Sequence, residues 1–116
     1  MDENIELIKK TLEPVFRENG VKSAILFGSF AKGTATEKSD FDIWVDSGLR
    51  GFDFLWLVEQ SRCALADTLF GDREVDMFDK RHINHGSRVE NEIFSTGTVI
   101  YGDKDINQIK EEINNN

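Results

Sequence analysis

Asp40 and Asp42 flank Phe41 at the start of a β-prone run, Phe41-Asp42-Ile43-Trp44-Val45. In an extended chain side chains alternate between faces, so both carboxylates point the same way. Like charges held that close repel, and a divalent cation makes the pair favourable. Hard oxygen donors in this number suit Mg²⁺, which takes one or two carboxylates and draws further ligands from substrate phosphates. Ten residues upstream, Gly28-Ser29 closes an apolar run. A glycine there lets the backbone approach a phosphate, and a helix beginning at that turn offers unpaired N–H groups to an anion.

The elements that must position these groups follow from periodicity. Val21 to Phe27 is almost wholly apolar and reads as a strand buried on both faces. Gly28-Ser29 turns into a short helix or loop reaching Ser39. Phe41 to Val45 forms a second strand, with Phe41, Ile43 and Val45 facing the core and Asp40, Asp42, Trp44 and Asp46 on the other face. Trp44 is expected to be a core or cover residue. Before this unit, Asn4 to Glu18 carries Ile5, Leu7, Ile8, Leu12, Val15 and Phe16 at helical spacing, and Pro14 predicts a kink or two short helices. Asn19-Gly20 ends that segment. After it, Phe52 to Leu69 reads as a helix with Leu55, Val58, Leu65 and Leu69 as its core face; Trp56 and Cys63 fall inside the pattern as packing residues. Glu74 to Phe78 is a third strand, Arg88 to Phe94 a helix and Thr98 to Tyr101 a short strand. The order predicts an α/β (α+β) domain with a small mixed sheet flanked by helices, spanning residues 1–102. Residues 103–116 form a polar tail, in which Ile106, Ile109 and Ile113 could dock on the body or on a partner and Asn114-Asn115-Asn116 is expected to be disordered.

Other candidates are weaker. His82 and His85 have a spacing compatible with one face of a turn, but no nitrogen or sulfur ligand accompanies them nearby, so an exposed loop is expected. Asp46 and Asp79 read as solvated strand ends, with a supporting place behind the metal ligands as the alternative for either. Acidic residues outnumber basic ones, 22 to 14, for a net charge of -8. Such a surface disfavours generic binding to nucleic acid or anionic membrane. The single cysteine, Cys63, leaves no intramolecular disulfide and no cysteine-based zinc cluster. With neither a signal-peptide pattern nor a long apolar run, the expected location is the cytoplasm.

Gly28-Ser29, ten residues, then Asp40-x-Asp42 resembles the signature of the DNA polymerase β-like nucleotidyltransferase superfamily, and the chain is similar to its minimal members over roughly residues 5 to 102. The resemblance extends to Glu92-Ile93-Phe94 and to Gly97 through Gly102. It implies the nucleotidyltransferase fold, with the Asp40 strand beside the Asp76 strand. It also implies a catalytic metal site of Asp40, Asp42 and Asp76 for Mg²⁺, two ions in number. A nucleotide site of Gly28, Ser29, Lys32 and Ser39 for ATP or another nucleoside triphosphate comes with it. Many relatives carry arginine where Lys32 stands; a lysine meets phosphate as a point charge, without bidentate grip. Minimal members of this kind act as antitoxins that transfer AMP to a tyrosine of a helical HEPN ribonuclease toxin encoded nearby, which is the activity the resemblance implies here. The alternative is a binding module that neutralises a partner by contact, with a vestigial nucleotide site.

Overall fold

The computed structural model describes residues 2–115. Helix α1, Glu3–Glu18, opens on Asp2, whose carboxylate accepts the Asn4 N–H at 2.8 Å. Its inner face is Ile5, Ile8, Leu12 and Phe16, spaced so that one stripe is apolar. Pro14 lies inside this single helix, not at a break between two. It sits on the exposed side, where the carbonyl deprived of its partner can bond to water.

Four strands follow in the sheet order β3-β2-β1-β4: β1 Ser23–Phe27, β2 Phe41–Asp46, β3 Val75–Asp79 and β4 Thr98–Tyr101. β1 is central and all five of its residues are buried, as its almost wholly apolar run requires. It runs antiparallel to β2 and β4, whereas β2 and β3 are parallel, so the sheet is mixed. The parallel step needs a crossover, supplied by α3, Gly51–Ala66. With α1, it packs on the face carrying Ala24, Leu26, Phe41, Ile43 and Val45. On the other face, α4, Arg88–Thr96, and α5, Ile106–Asn114, bring Ile93 and Ile109 onto Ile25, Phe27 and Trp44. Trp44 is 2% exposed and meets Phe94 edge-on, a core tryptophan as expected. The five-residue α2, Gly28–Lys32, leaves directly from the end of β1.

Three expectations are corrected. The buried positions of α3 are Leu57, Ser61 and Leu65, while Leu55 and Trp56 are exposed, Leu69 lies exposed beyond the helix, and Cys63 faces outward. The segment is apolar on two sides, so periodicity does not identify which side the sheet will take. Asp79 is not a solvated strand end but 3% exposed. It accepts the N–H groups of Ser47 and Arg81, each at 3.2 Å, and the Ser47 hydroxyl, which fastens the turn after β2 to the end of β3. Residues 106–114 form α5, which opens on a reciprocal capping box between Asp105 and Gln108; its isoleucines dock on the body, Ile109 being 2% exposed, and what is corrected is the expected disorder of Asn114. Asn114 ends that helix and Asn115 caps it; Asn116 lies outside the described residues. No helix among the described residues is long and apolar enough to cross a membrane.

Candidate active site

The strand register decides what meets at the end of the sheet. Asp42 lies opposite Phe27 on β1 and opposite Asp76 on β3. Gly28 follows Phe27 immediately, with φ at +72°, and a methyl group built on it would overlap the Asp42 carboxylate at Oδ2. Only glycine satisfies both the left-handed backbone and this close approach. The turn that starts α2 is thus pressed against an acidic strand residue, and no side chain caps its first N–H groups.

Asp42 is half-buried and Asp76 exposed, so the site is an open shelf. The Asp42 carboxyl is pushed up from 3.8 to about 6, first by burial and then by the negative charges of Asp76, Glu92 and Asp40, while Lys32 opposes them. A carboxyl that resists ionisation in this way is one that a cation beside it would relieve. Among the described residues, no three His, Cys, Asp or Glu side chains form a ready-made metal cage. The donors nevertheless fit Mg²⁺, which completes its shell from water and phosphate around a carboxylate or two.

The remaining expected residues are distributed around this centre. Lys32, in the last turn of α2, is 3.5 Å from Glu92 of α4. Ser39 Oγ accepts the Thr36 N–H at 2.8 Å, a bond internal to the loop before Asp40. His82 and His85 do not act together: His82 stacks edge-on against Phe54, and His85 Nδ1 stands 3.3 Å from Glu90.

Two residues escape sequence reasoning. Glu92 faces the Asp42 cluster from another element, and nothing in its local sequence distinguishes it from a solvated helix glutamate. Arg73 donates from Nη1 to the carbonyls of Thr36 at 2.7 Å and Ser39 at 2.9 Å, and from Nε to that of Phe70 at 2.9 Å. Its guanidinium also lies 5.5 Å from the centre of the Phe30 ring. It therefore clamps the loop that delivers Asp40. The partners in that loop, Thr36 and Ser39, are more than thirty residues away in sequence, so no local signal could have found the clamp.

Comparison with known proteins agrees with this fold. A Methanocaldococcus jannaschii protein, named as a candidate protein adenylyltransferase, is 44% identical over 45 residues, 39% of this chain and 48% of that protein. The match thus spans about half the length of that curated relative. A toxin–antitoxin crystal structure with AMP-PNP superimposes with a TM-score of 0.67 at 25% identity, covering 90% of this chain and 79% of the other. An MNT antitoxin in complex with the tri-AMPylated HEPN toxin of Shewanella oneidensis shares the fold, with a TM-score of 0.62 at 23% identity over 94% of this chain and 79% of that one. The sequence model of the family described as Polymerase beta, Nucleotidyltransferase matches residues 10–106, and the chain belongs to that family.

Proposed function

We propose that this protein transfers AMP from ATP to a hydroxyl, the acceptor being a tyrosine of a HEPN toxin partner, and that it acts as that toxin's antitoxin. The observation that carries the reading is the contact between Gly28 and Asp42, with Asp76 in register beside them. It joins a turn suited to phosphate with carboxylates suited to a metal. The family membership and the toxin–antitoxin relative bound to a nucleotide analogue support it.

In this mechanism Gly28 and Ser29 receive the β- and γ-phosphates through the open N–H groups of the turn and the Ser29 hydroxyl. Lys32 exchanges Glu92 for a phosphate oxygen, and the Ser39 hydroxyl still has a proton to donate nearby. Asp40, Asp42 and Asp76 would hold Mg²⁺, which supplies charge neutralisation and a more acidic attacking hydroxyl. The acceptor hydroxyl gives up its proton to solvent and its oxygen bonds to the α-phosphorus as the bond to the departing pyrophosphate breaks. Catalysis is mainly alignment and electrostatics. The reaction draws on Mg-ATP, for which the cytoplasm is the setting.

The test is to supply ATP radiolabelled at the α-phosphate, with Mg²⁺, to the protein alone and to the protein mixed with the product of the adjacent reading frame. Label on the partner that vanishes with Asp42→Asn is the expected result. Stable binding of both partner and Mg-ATP without any label would sink the transfer. A second reading, neutralisation by contact alone, is favoured by the exposed apolar residues of α3. It predicts that Asp40→Ala/Asp42→Ala still suppresses toxicity as well as the unaltered chain.

A further inference from the structure

Helix α3 carries an apolar stripe that none of the described residues covers. Phe52 is 88% exposed, Leu55 61% and Trp56 59%, and Leu69, just beyond the helix, 96%. Scattered exposed apolar residues are ordinary, but three large ones on one helix with a fourth just past its end are not. The three on the helix also lie opposite the face that the core does use, Leu57, Ser61 and Leu65. Covering the sheet therefore does not explain them. Tryptophan and phenylalanine are the residue types enriched where protein interfaces bury their centres.

Charge selects the occupant. Asp53 lines one surface with Phe52, Leu55 and Trp56, and along the helix and the turn after it Glu59, Asp67 and Asp72 are exposed. Arg62 is shared between Glu59 and Asp72, both at 2.6 Å, and with Arg50 it leaves these carboxylates in excess. A second copy would bring the same acidic rim from a chain of net charge -8, and a symmetric dimer would oppose like charges. A partner with an apolar face bordered by lysine and arginine meets both the centre and the rim.

Position connects the stripe to the chemistry. α3 runs back along the sheet from the end of β2, so Phe52 lies at the Asp46 end and Leu69 towards the Phe41 end. Phe70, next to Leu69, packs on Phe30 and Phe41 with ring centres 5.5 and 5.3 Å apart. Arg73 then ties the same turn to the loop before Asp40. A protein laid along α3 reaches the rim of the acidic shelf.

We propose that the exposed face of α3, with Leu69, is the docking surface for the protein acceptor, a partner whose apolar contact face is rimmed by basic residues. This rests on the proposed transfer to a toxin partner and specifies how that partner is held. The experiment measures, with the full chain, calorimetric affinity for the product of the adjacent reading frame, Mg-ATP binding, thermal midpoint and sedimentation. Phe52→Ser/Trp56→Ser is expected to weaken partner binding at least about tenfold, leaving Mg-ATP binding and the melting midpoint unchanged. Leu69→Ser, outside the helix, should weaken it at least about threefold by the same logic and serves if the double variant does not fold. Asp40→Ala/Asp42→Ala should keep partner affinity. Binding by these surface variants equal to that of the unaltered chain overturns the docking surface while leaving the transfer reading standing. Failure of the unaltered chain to bind that product overturns the toxin-partner reading and the docking surface with it. A dimer of the unaltered chain that Phe52→Ser/Trp56→Ser converts to monomer overturns the assignment in favour of a second copy.

Discussion

Asp42 is the residue on which the competing demands of this fold meet. Burial and three neighbouring carboxylates disfavour its charge, holding its pKa at about 6 against 3.8. Between those values the folded chain keeps a proton that the unfolded chain has released, so stability falls as pH rises through the window. The loss is about 1 kcal/mol once solvent screening is allowed for. Thermal melts of metal-free protein across the window should show this slope, and Asp42→Asn should flatten it and raise the midpoint at neutral pH. Added Mg²⁺ should stabilise the unaltered chain and not Asp42→Asn; an equal rise in both would remove Asp42 from the metal site. Gly28→Ala combines a side chain at φ +72° with overlap on Asp42. It should cost about 1–3 kcal/mol in urea denaturation and depress transfer. The aspartate pair and the Gly-Ser turn are visible in the sequence because their spacing is local. Glu92 is invisible there because its meaning depends on where α4 lands.

Among the elements, the loop from Gly33 to Asp40 and helix α5 depend most on distant partners. Arg73→Ala removes three charge-assisted bonds to backbone carbonyls. It should loosen the segment carrying Ser39 and Asp40, lowering transfer several-fold at an almost unchanged Mg-ATP-independent fold, checked by kinetics beside a melt. Ile109→Ala opens a cavity under α5 and should cost about 2–4 kcal/mol, read from the shift in urea midpoint. If the cost is negligible, α5 is not part of the cooperative unit. Strands β1 and β2 are legible from their runs and alternation. Helix α3 is not, because Phe52, Leu55 and Trp56 on one side and Phe54, Leu57 and Val58 on the other are equally apolar. Segment 103–116 reads as polar because Ile106, Ile109 and Ile113 are its only apolar residues, yet those suffice once a surface is there to receive them.

For the whole molecule, a Cα radius of gyration of 13.2 Å matches the roughly 13 Å expected of one compact body of this length. With a net charge of -8, the chain should leave random duplex DNA or RNA unretarded at about 0.15 M salt, and its association with a basic partner should slow as salt is added. Retardation of duplex would contradict the charge argument. Taken alone, the sequence determines the chemistry-bearing unit: an apolar strand, a glycine turn and an acid pair at alternating positions, all set by local geometry and side-chain type. It also determines the mixture of helices and strands, since periodicity is a property of neighbouring residues. Only the tertiary structure decides that Asp76 stands in register with Asp42, that Glu92 and Arg73 join the site, that Asp79 is a buried tie, and which side of α3 is left outside. Each of those depends on contacts between residues distant in the chain, where the free energy comes from surfaces that meet only after the sheet has closed and its helices have covered it.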